Sequence, residues 1–237
     1  MSISLKRARA IFVKDYKEFS RNYAVSIMLL FPICLALILR SAPPSLLHGA
    51  IGIVLNTSFV ILPCFVQACL IAEEKERNTL RSLMMTPATT MDVLIGKSTL
   101  VFVMSAIVLT ISTYILGYEP ASIWAFVAAI ILSIILYTAA GTICGLFSQT
   151  VLEASLSIIP VAVIFTGAPG GAFLVDDYPI LKVLEYVPSS QLVYLLGIPN
   201  IGFTTGDLLK PLLIILAWTV VLTIVSVVLY QRRLKDE

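Results

Sequence analysis

Two apolar runs, Gly49 to Ala72 and Ser98 to Gly117, contain no Asp, Glu, Lys or Arg. Each is long enough to cross a bilayer, because a helix rising about 1.5 Å per residue needs about 20 apolar residues to traverse a hydrocarbon layer of ~30 Å. The charged stretch between them, Glu73 to Lys97, must then be a loop on one membrane face. Glu73, Glu74 and Glu76 crowd its start, where the positive end of a helix dipole favours carboxylates, and Arg77 and Arg81 follow. Leu80, Leu83 and Met84 have the i, i+3, i+4 spacing of a helix with one apolar stripe. Pro87 biases Thr86 away from helix, and Thr89 or Thr90 caps a new helix running through Lys97 into the next span. A short amphipathic helix ended by a proline turn suits docking of another protein; a solvated linker, its charges merely holding the loop in water, accounts equally well for the same residues.

The rest of the chain is placed by that loop. Apolar residues make up 59% and charged residues 13%, against roughly a quarter charged in soluble domains. This is the composition of an integral membrane protein, here a single transmembrane domain over residues 1–237, and a net charge of +2 supports no nucleic-acid partner. Residues 1–21 read as an interfacial helix: Leu5, Ala8, Phe12, Tyr16 and Phe19 recur on one face, and Lys6, Arg7, Lys14, Lys17 and Arg21 occupy the others. A secretory signal fits poorly, since the basic helix is too long and no small-residue cleavage site follows. Spans are expected at Tyr23–Leu39 with Pro32 inside, Gly49–Ala72 with a kink at Pro63, Ser98 to about Tyr118, Ser122–Phe147, Ser155–Leu174 with a break near Gly167 to Gly171, and Pro211–Tyr230. Gly141 and Gly145 form a GxxxG pattern that lets a neighbouring helix approach closely, though chance produces such a pattern about as readily in a sequence rich in small residues. Between the fifth and sixth spans, residues 175–210 hold two short apolar pieces, Pro179–Val187 and Gln191–Leu196, both too short to cross. They read as a re-entrant or interfacial hairpin, with an ordinary outer loop as the alternative.

Six spans put both termini and the 73–97 segment on one side. That side holds thirteen of the sixteen Lys and Arg residues, leaving Arg40, Lys182 and Lys210 opposite. The positive-inside rule makes the basic side cytoplasmic, so the chain is expected in the cell membrane with both termini inside.

Chemistry is sparse. The spans as drawn contain no ionisable Asp, Glu, Lys, Arg or His, whereas ion-coupled transporters bury such groups along their path. Gly96-Lys97-Ser98 is a fragment of a phosphate-binding loop, but Met91 stands where that loop requires glycine. His48 alone makes no metal site, and Cys34, Cys64, Cys69 and Cys144 lie in apolar runs, where cysteine behaves as a small hydrophobe. No catalytic constellation, metal site or bound cofactor is expected. The few polar groups of the second span, Asn56, Thr57, Ser58 and Gln67, suit a path for an amphipathic substrate, apolar along its body with amides and hydroxyls to orient a polar end.

The segment EEKERNTLRSLMMTPATTMDVLIGK resembles the cytoplasmic segment of ABC-2 type transporter permeases: acidic residues, a Thr-Leu pair, a Thr-Pro break and a Leu-x-Gly-Lys lead into the third span. Here Asn78-Thr79 stands where that family often has Gly-Thr. YPILKVLEYVPSSQLVYLLG resembles the family's outer segment before the last span, so the resemblance covers nearly the whole chain. It implies an all-α permease of six transmembrane helices with an interfacial first helix, a coupling helix between spans 2 and 3, and an outer re-entrant hairpin. It also implies a dimer with an identical or homologous protomer and two copies of a separate ABC ATPase subunit, which holds the ATP and Mg. Glu73, Glu74, Glu76, Arg77, Thr79, Leu80 and Leu83 are implied as coupling residues. With the second and fifth spans of two protomers lining the path, Asn56, Ser58, Gln67 and Thr166 are its candidate lining. The function so implied is ATP-driven export of a drug, peptide or lipid-like substrate. Export of polysaccharide, haem or a lipid-linked substrate stands as the alternative, beside a non-pumping immunity or sensor protein and, least supported, a membrane lipid enzyme.

Overall fold

The structure, a computed structural model, describes residues 5–43, 46–77, 90–171, 178–199 and 202–236. Among these residues all regular structure is helical and there is no strand. Five helical stretches are long and apolar enough to cross a membrane: Leu47–Glu76, Met91–Leu116, Ile123–Phe147, Val151–Gly171 and Thr205–Arg232. The expected first span is a shorter apolar helix, Ile27–Leu39.

The bundle is built around the second of the expected spans. It consists of α4 (Leu47–Phe59), a π-helical segment (Val60–Val66) and α5 (Gln67–Glu76). Pro63 explains the middle piece: it has no N–H to donate to the Phe59 carbonyl one turn back, and its ring crowds that carbonyl, so the turn widens. Pro32 has the same effect with the opposite sign. The run from α2 (Tyr23–Ser26) to α3 (Leu30–Leu39) tightens into a 3-10 turn at Ile27–Leu29, next to the Met28 carbonyl that Pro32 cannot bond.

Around this axis pack α3, α6 (Thr90–Leu116), α7 (Ile123–Phe147), α9 (Ile159–Gly171) and α10 (Pro188–Leu196). The last helix, α11 (Thr205–Asp236), lies along α7. Gly141 and Gly145 of α7 face the central span, and a Cβ at Gly141 would overlap the Cys64 carbonyl, while one at Gly145 would come within 2.7 Å of the Ala68 carbonyl oxygen. Of the two readings of the GxxxG pattern, close helix approach is therefore the one realised. One turn away Gln67 donates from Nε2 to Thr142 Oγ1 across 3.1 Å. An aromatic series crosses the core from Phe59 through Tyr137 and Phe165 to Trp218, joining four of the long stretches at centroid spacings of 5.2–6.4 Å.

Several boundaries differ from those expected: the central span reaches from Leu47 to Glu76, and α9 stays helical through Pro169 to Gly171, where the sequence predicts a break. The polar link expected at Ser148–Ala154 is shorter, because α8 (Val151–Ser157) already starts at Val151; the Thr150 hydroxyl accepts from the Glu153 N–H at 3.2 Å and the Glu153 carboxylate accepts from the Gln149 N–H at 2.6 Å. A capping box of this kind nucleates a helix within polar sequence. Likewise α11 begins at Thr205 rather than Pro211, with the Asp207 carboxylate accepting from Thr204 N and Oγ1 at 2.9 and 2.8 Å.

The 175–210 segment supplies a 3-10 helix (Pro179–Tyr186) and α10, broken at Val187. Ser189, Leu192, Leu195 and Leu196 of α10 are buried against the bundle. Trp218 Nε1 donates to the Tyr186 carbonyl at 3.0 Å and Tyr118 Oη to the Leu196 carbonyl at 2.7 Å, so both pieces are fastened to the spans beside them. Burial pushes the Tyr118 phenol up to about 12, which keeps it a donor.

Candidate functional site

Helix α1 (Leu5–Arg21) docks on α6 at the end of the bundle that carries the chain's termini. Its buried stripe is Ile11, Asp15 and Phe19, whereas Tyr16, expected on the apolar face, is half exposed. The carboxylate in the middle of that stripe meets Lys97, which α6 points inward, and Glu74, from the end of α5.

Four side chains close a ring of alternating charge. Glu74 Oε1 lies 2.9 Å from Lys97 Nζ and 3.1 Å from Lys14 Nζ. Asp15 returns the circuit with Oδ2 at 3.3 Å from Lys97 and Oδ1 at 3.5 Å from Lys14. Lys97, Asp15 and Glu74 are almost wholly buried, and only Lys14 keeps a third of its side chain exposed. Two cations and two anions leave no net charge, and mutual pairing is what permits groups so costly to desolvate to sit there. Burial pushes the Asp15 carboxyl above its ordinary range, with Glu74 reinforcing the shift and Lys97 and Lys14 opposing it. At Lys14 burial works downward, but the carboxylates of Glu74, Asp15 and Glu18 outweigh it and the ammonium is raised. A second pair, Arg7 Nε to Asp92 Oδ2 at 2.8 Å, ties the start of α1 to the start of α6.

The other charges at the end of α5 reach different helices. Lys75 Nζ donates to the carbonyls of Leu146 and Ser148 at 2.9 and 2.6 Å, closing the C-terminus of α7. Glu76 Oε2 accepts from the Val151 N–H at 2.9 Å, at the N-terminus of α8. Glu73 pairs along its own helix with Arg77 at 2.7 Å. Tyr230 of α11 is buried beside this hub, packed with Ile71, Leu94 and Leu146. Three consecutive residues, Glu74, Lys75 and Glu76, thus join α5 to α1, α6, α7 and α8 just before segment 78–89 departs. The charges looked like a solvated run in the sequence, and only the fold shows how many are internal.

Of the expected coupling residues, Glu73, Glu74, Glu76 and Arg77 are gathered here; Thr79, Leu80 and Leu83 lie outside the described residues. The expected substrate-path residues are not brought to one surface: Asn56, Ser58 and Gln67 are buried within the bundle, and Thr166 is exposed on α9. Ser58 bonds the Val54 carbonyl of its own helix, while Asn56 Oδ1 and Gln67 Oε1 are buried without a hydrogen-bond partner. Two cavities, of about 720 and 350 Å³, lie elsewhere, along α6 and α7. Sequence reasoning missed Asp15 and Asp92 as members of the site. The available signal for Asp15 was its spacing of four from both Ile11 and Phe19. Among the described residues no group of His, Cys, Asp and Glu is disposed to hold a metal.

Five helices long and apolar enough to cross a membrane, with a charged hub at the root of the loop between two of them, place the chain in the class of polytopic helical membrane proteins. The chain matches the family described as ABC-2 family transporter protein over residues 23–228, and it belongs to that family. It is accordingly the membrane permease component of an ABC transporter, a partner of an ABC ATPase subunit rather than the ATPase itself. A comparison with curated proteins finds no match.

Proposed function

We propose that the chain is one half of an ATP-driven exporter, pairing with an identical or homologous protomer and two ATPase subunits, which bind ATP and Mg, to move an amphipathic drug, peptide or lipid-like molecule outward. In this reading Tyr23–Leu39 completes six spans, both termini and segment 73–97 are cytoplasmic, and residues 175–210 form an outer re-entrant hairpin. Segment 73–97 seats its short helix in the ATPase through Thr79, Leu80 and Leu83, while Glu73, Glu74, Glu76 and Arg77 anchor its root. The observation that supports this most is the hub: a push on the segment acts at once on α1, α6, α7 and α8, because Glu74, Lys75 and Glu76 each hold a different neighbour. Asn56 and Gln67, with buried oxygens lacking partners, are the groups that gain most if the bundle parts to admit a polar end of the cargo.

The test begins with gentle detergent extraction, from which an ATP-binding subunit should co-purify in comparable amount. Leu80→Asp and Leu83→Asp should leave the permease folded but place a charge in an apolar contact, lowering ATPase association by about tenfold or more. Normal association and transport by both variants would make the segment a mere linker. Stimulation of the complex's ATPase by soluble oligosaccharide, with no response to amphipathic compounds, would favour the polysaccharide alternative.

A further inference from the structure

We propose that the cleft between α6 and α7 is a binding site for one membrane phospholipid with an amine head group, its acyl chain lying along Phe102, Leu109 and Ile130 and its ammonium at Glu119. The cleft exists because consecutive helices pack on different partners: α6 lies on α1 and α3, and α7 on α5 and α11. What remains between them is a bay of about 720 Å³, within the range of small-ligand sites of about 300–1,000 Å³.

Three features define the occupant. The lining is apolar apart from Glu119 and hydroxyls, and the hydroxyls inside it are already used. Thr110 Oγ1 donates to the Ala106 carbonyl at 2.7 Å and Thr113 Oγ1 to the Leu109 carbonyl at 2.8 Å, so those threonines offer methyls to the bay. The interior therefore suits a hydrocarbon chain. The volume suits a hydrocarbon chain lying lengthwise in the groove between the two helices. The single ionisable carboxylate on the lining, Glu119, sits at the mouth and no Lys or Arg lines the bay, which selects a cationic head over an anionic one. Gly117 fixes that placement. Its φ of 63° turns the chain out of α6, and Tyr118 then anchors the turn to Leu196, leaving Glu119 exposed on the lining. From Phe102 to Leu116, where α6 ends just before Glu119, is about 21 Å along the helix axis, enough for a chain to run from the interface past the midplane of a ~30 Å hydrocarbon layer.

The experiment uses the full chain as purified from membranes and needs no transport assay, so its outcome is independent of the exporter reading. Native mass spectrometry after exchange into micelles containing equal phosphatidylethanolamine and phosphatidylglycerol should show one retained lipid, predominantly phosphatidylethanolamine. Glu119→Gln should keep the lipid but reduce that preference by about twofold to fivefold, the size of one exposed ion pair. Ile130→Trp should obstruct the bay and weaken retention. Because a tryptophan there could impair folding, the wild-type protein is also photolabelled with a phosphatidylethanolamine carrying a diazirine at its chain end, and adducts should concentrate between Phe102 and Leu109 or on the facing turns of α7. Equal retention of both lipids, an unaltered preference in Glu119→Gln, or adducts spread evenly over the other spans would overturn the proposal.

Discussion

Asp15 is the residue on which the candidate site turns. It occupies the position where an amphipathic helix on a membrane surface would present an apolar side chain, and it is wholly buried. The reason is the pair of cations, Lys97 and Lys14, which would otherwise share the single carboxylate of Glu74. Lys97→Met removes one cation from a ring of two, leaving Asp15 and Glu74 with only Lys14, and should cost about 3–5 kcal/mol in the unfolding of the detergent-solubilised protein. Adding Asp15→Leu restores charge balance, so the double variant should be more stable than Lys97→Met alone; a double variant less stable than either single one would show that the ring is not a unit. The pH dependence has a definite sign. Lys14 has its affinity for the proton raised in the folded protein, so the stability it contributes is complete below its ordinary value of 10.5 and is lost as pH climbs through the higher folded value. Asp15, also raised, contributes stability that is complete below its ordinary 3.8 and fades as pH rises through its folded value. Wild type should therefore lose its advantage over Lys14→Gln above pH 10.5 in thermal scans, and an advantage that grows there would contradict the ring. None of this pairing was legible from the chain, because Asp15, Glu74 and Lys97 meet only when three separate helices converge.

At the scale of elements, the prolines and glycines spoke most clearly. Pro63 and Pro32 announce irregularity by the donor they lack, and irregularity is found at both, although the sequence does not reveal that one turn widens while the other tightens. Gly141 and Gly145 matter because lipid offers no hydrophobic drive for helices to associate, and close packing must supply the attraction instead. At Gly141 the obstructing atom is a backbone carbonyl, which cannot swing aside as a side-chain tip can. Gly141→Ala should thus destabilise the contact between α7 and the central span by about 1–3 kcal/mol. Gly167→Ala, where nothing lies within 4 Å, serves as the control and should be neutral or slightly stabilising by helix propensity. Equal effects of the two in an SDS-unfolding series would remove the close approach from the account. The early start of α8 is marked in the sequence by Thr150 and Glu153, whose spacing of three is a helix-start signal within polar residues.

For the whole molecule, burial divides the spans into an axis and a periphery. The most apolar window of the central span is 72% buried, but those of α8–α9 and α11 are only 22% buried, and Val163, Val221 and Ile224 point outward. A surface of that kind belongs in lipid or against another subunit. The apolar runs made this helical, membrane-embedded architecture legible from the start, since their length and lack of charge leave few alternatives. Orientation rests on a different property, the concentration of Lys and Arg at one end. That end is assembled in the fold: Arg7 pairs with Asp92, and Gln231 lies against Met91. The opposite end holds the Tyr118–Leu196 bond and the 3-10 helix with Lys182. Because basic residues are retained on the cytoplasmic face, single cysteines at Arg81 and Lys235 in a cysteine-free background should be shielded from an impermeant thiol reagent in intact cells and react once the membrane is permeabilised. Cysteines at Ser45 and Lys182 should react in intact cells. The reverse pattern would invert the molecule and place segment 73–97 beyond the reach of any cytoplasmic ATPase, while labelling of Arg81 and Ser45 alike in intact cells would mean that Tyr23–Leu39 and Leu47–Glu76 do not both cross.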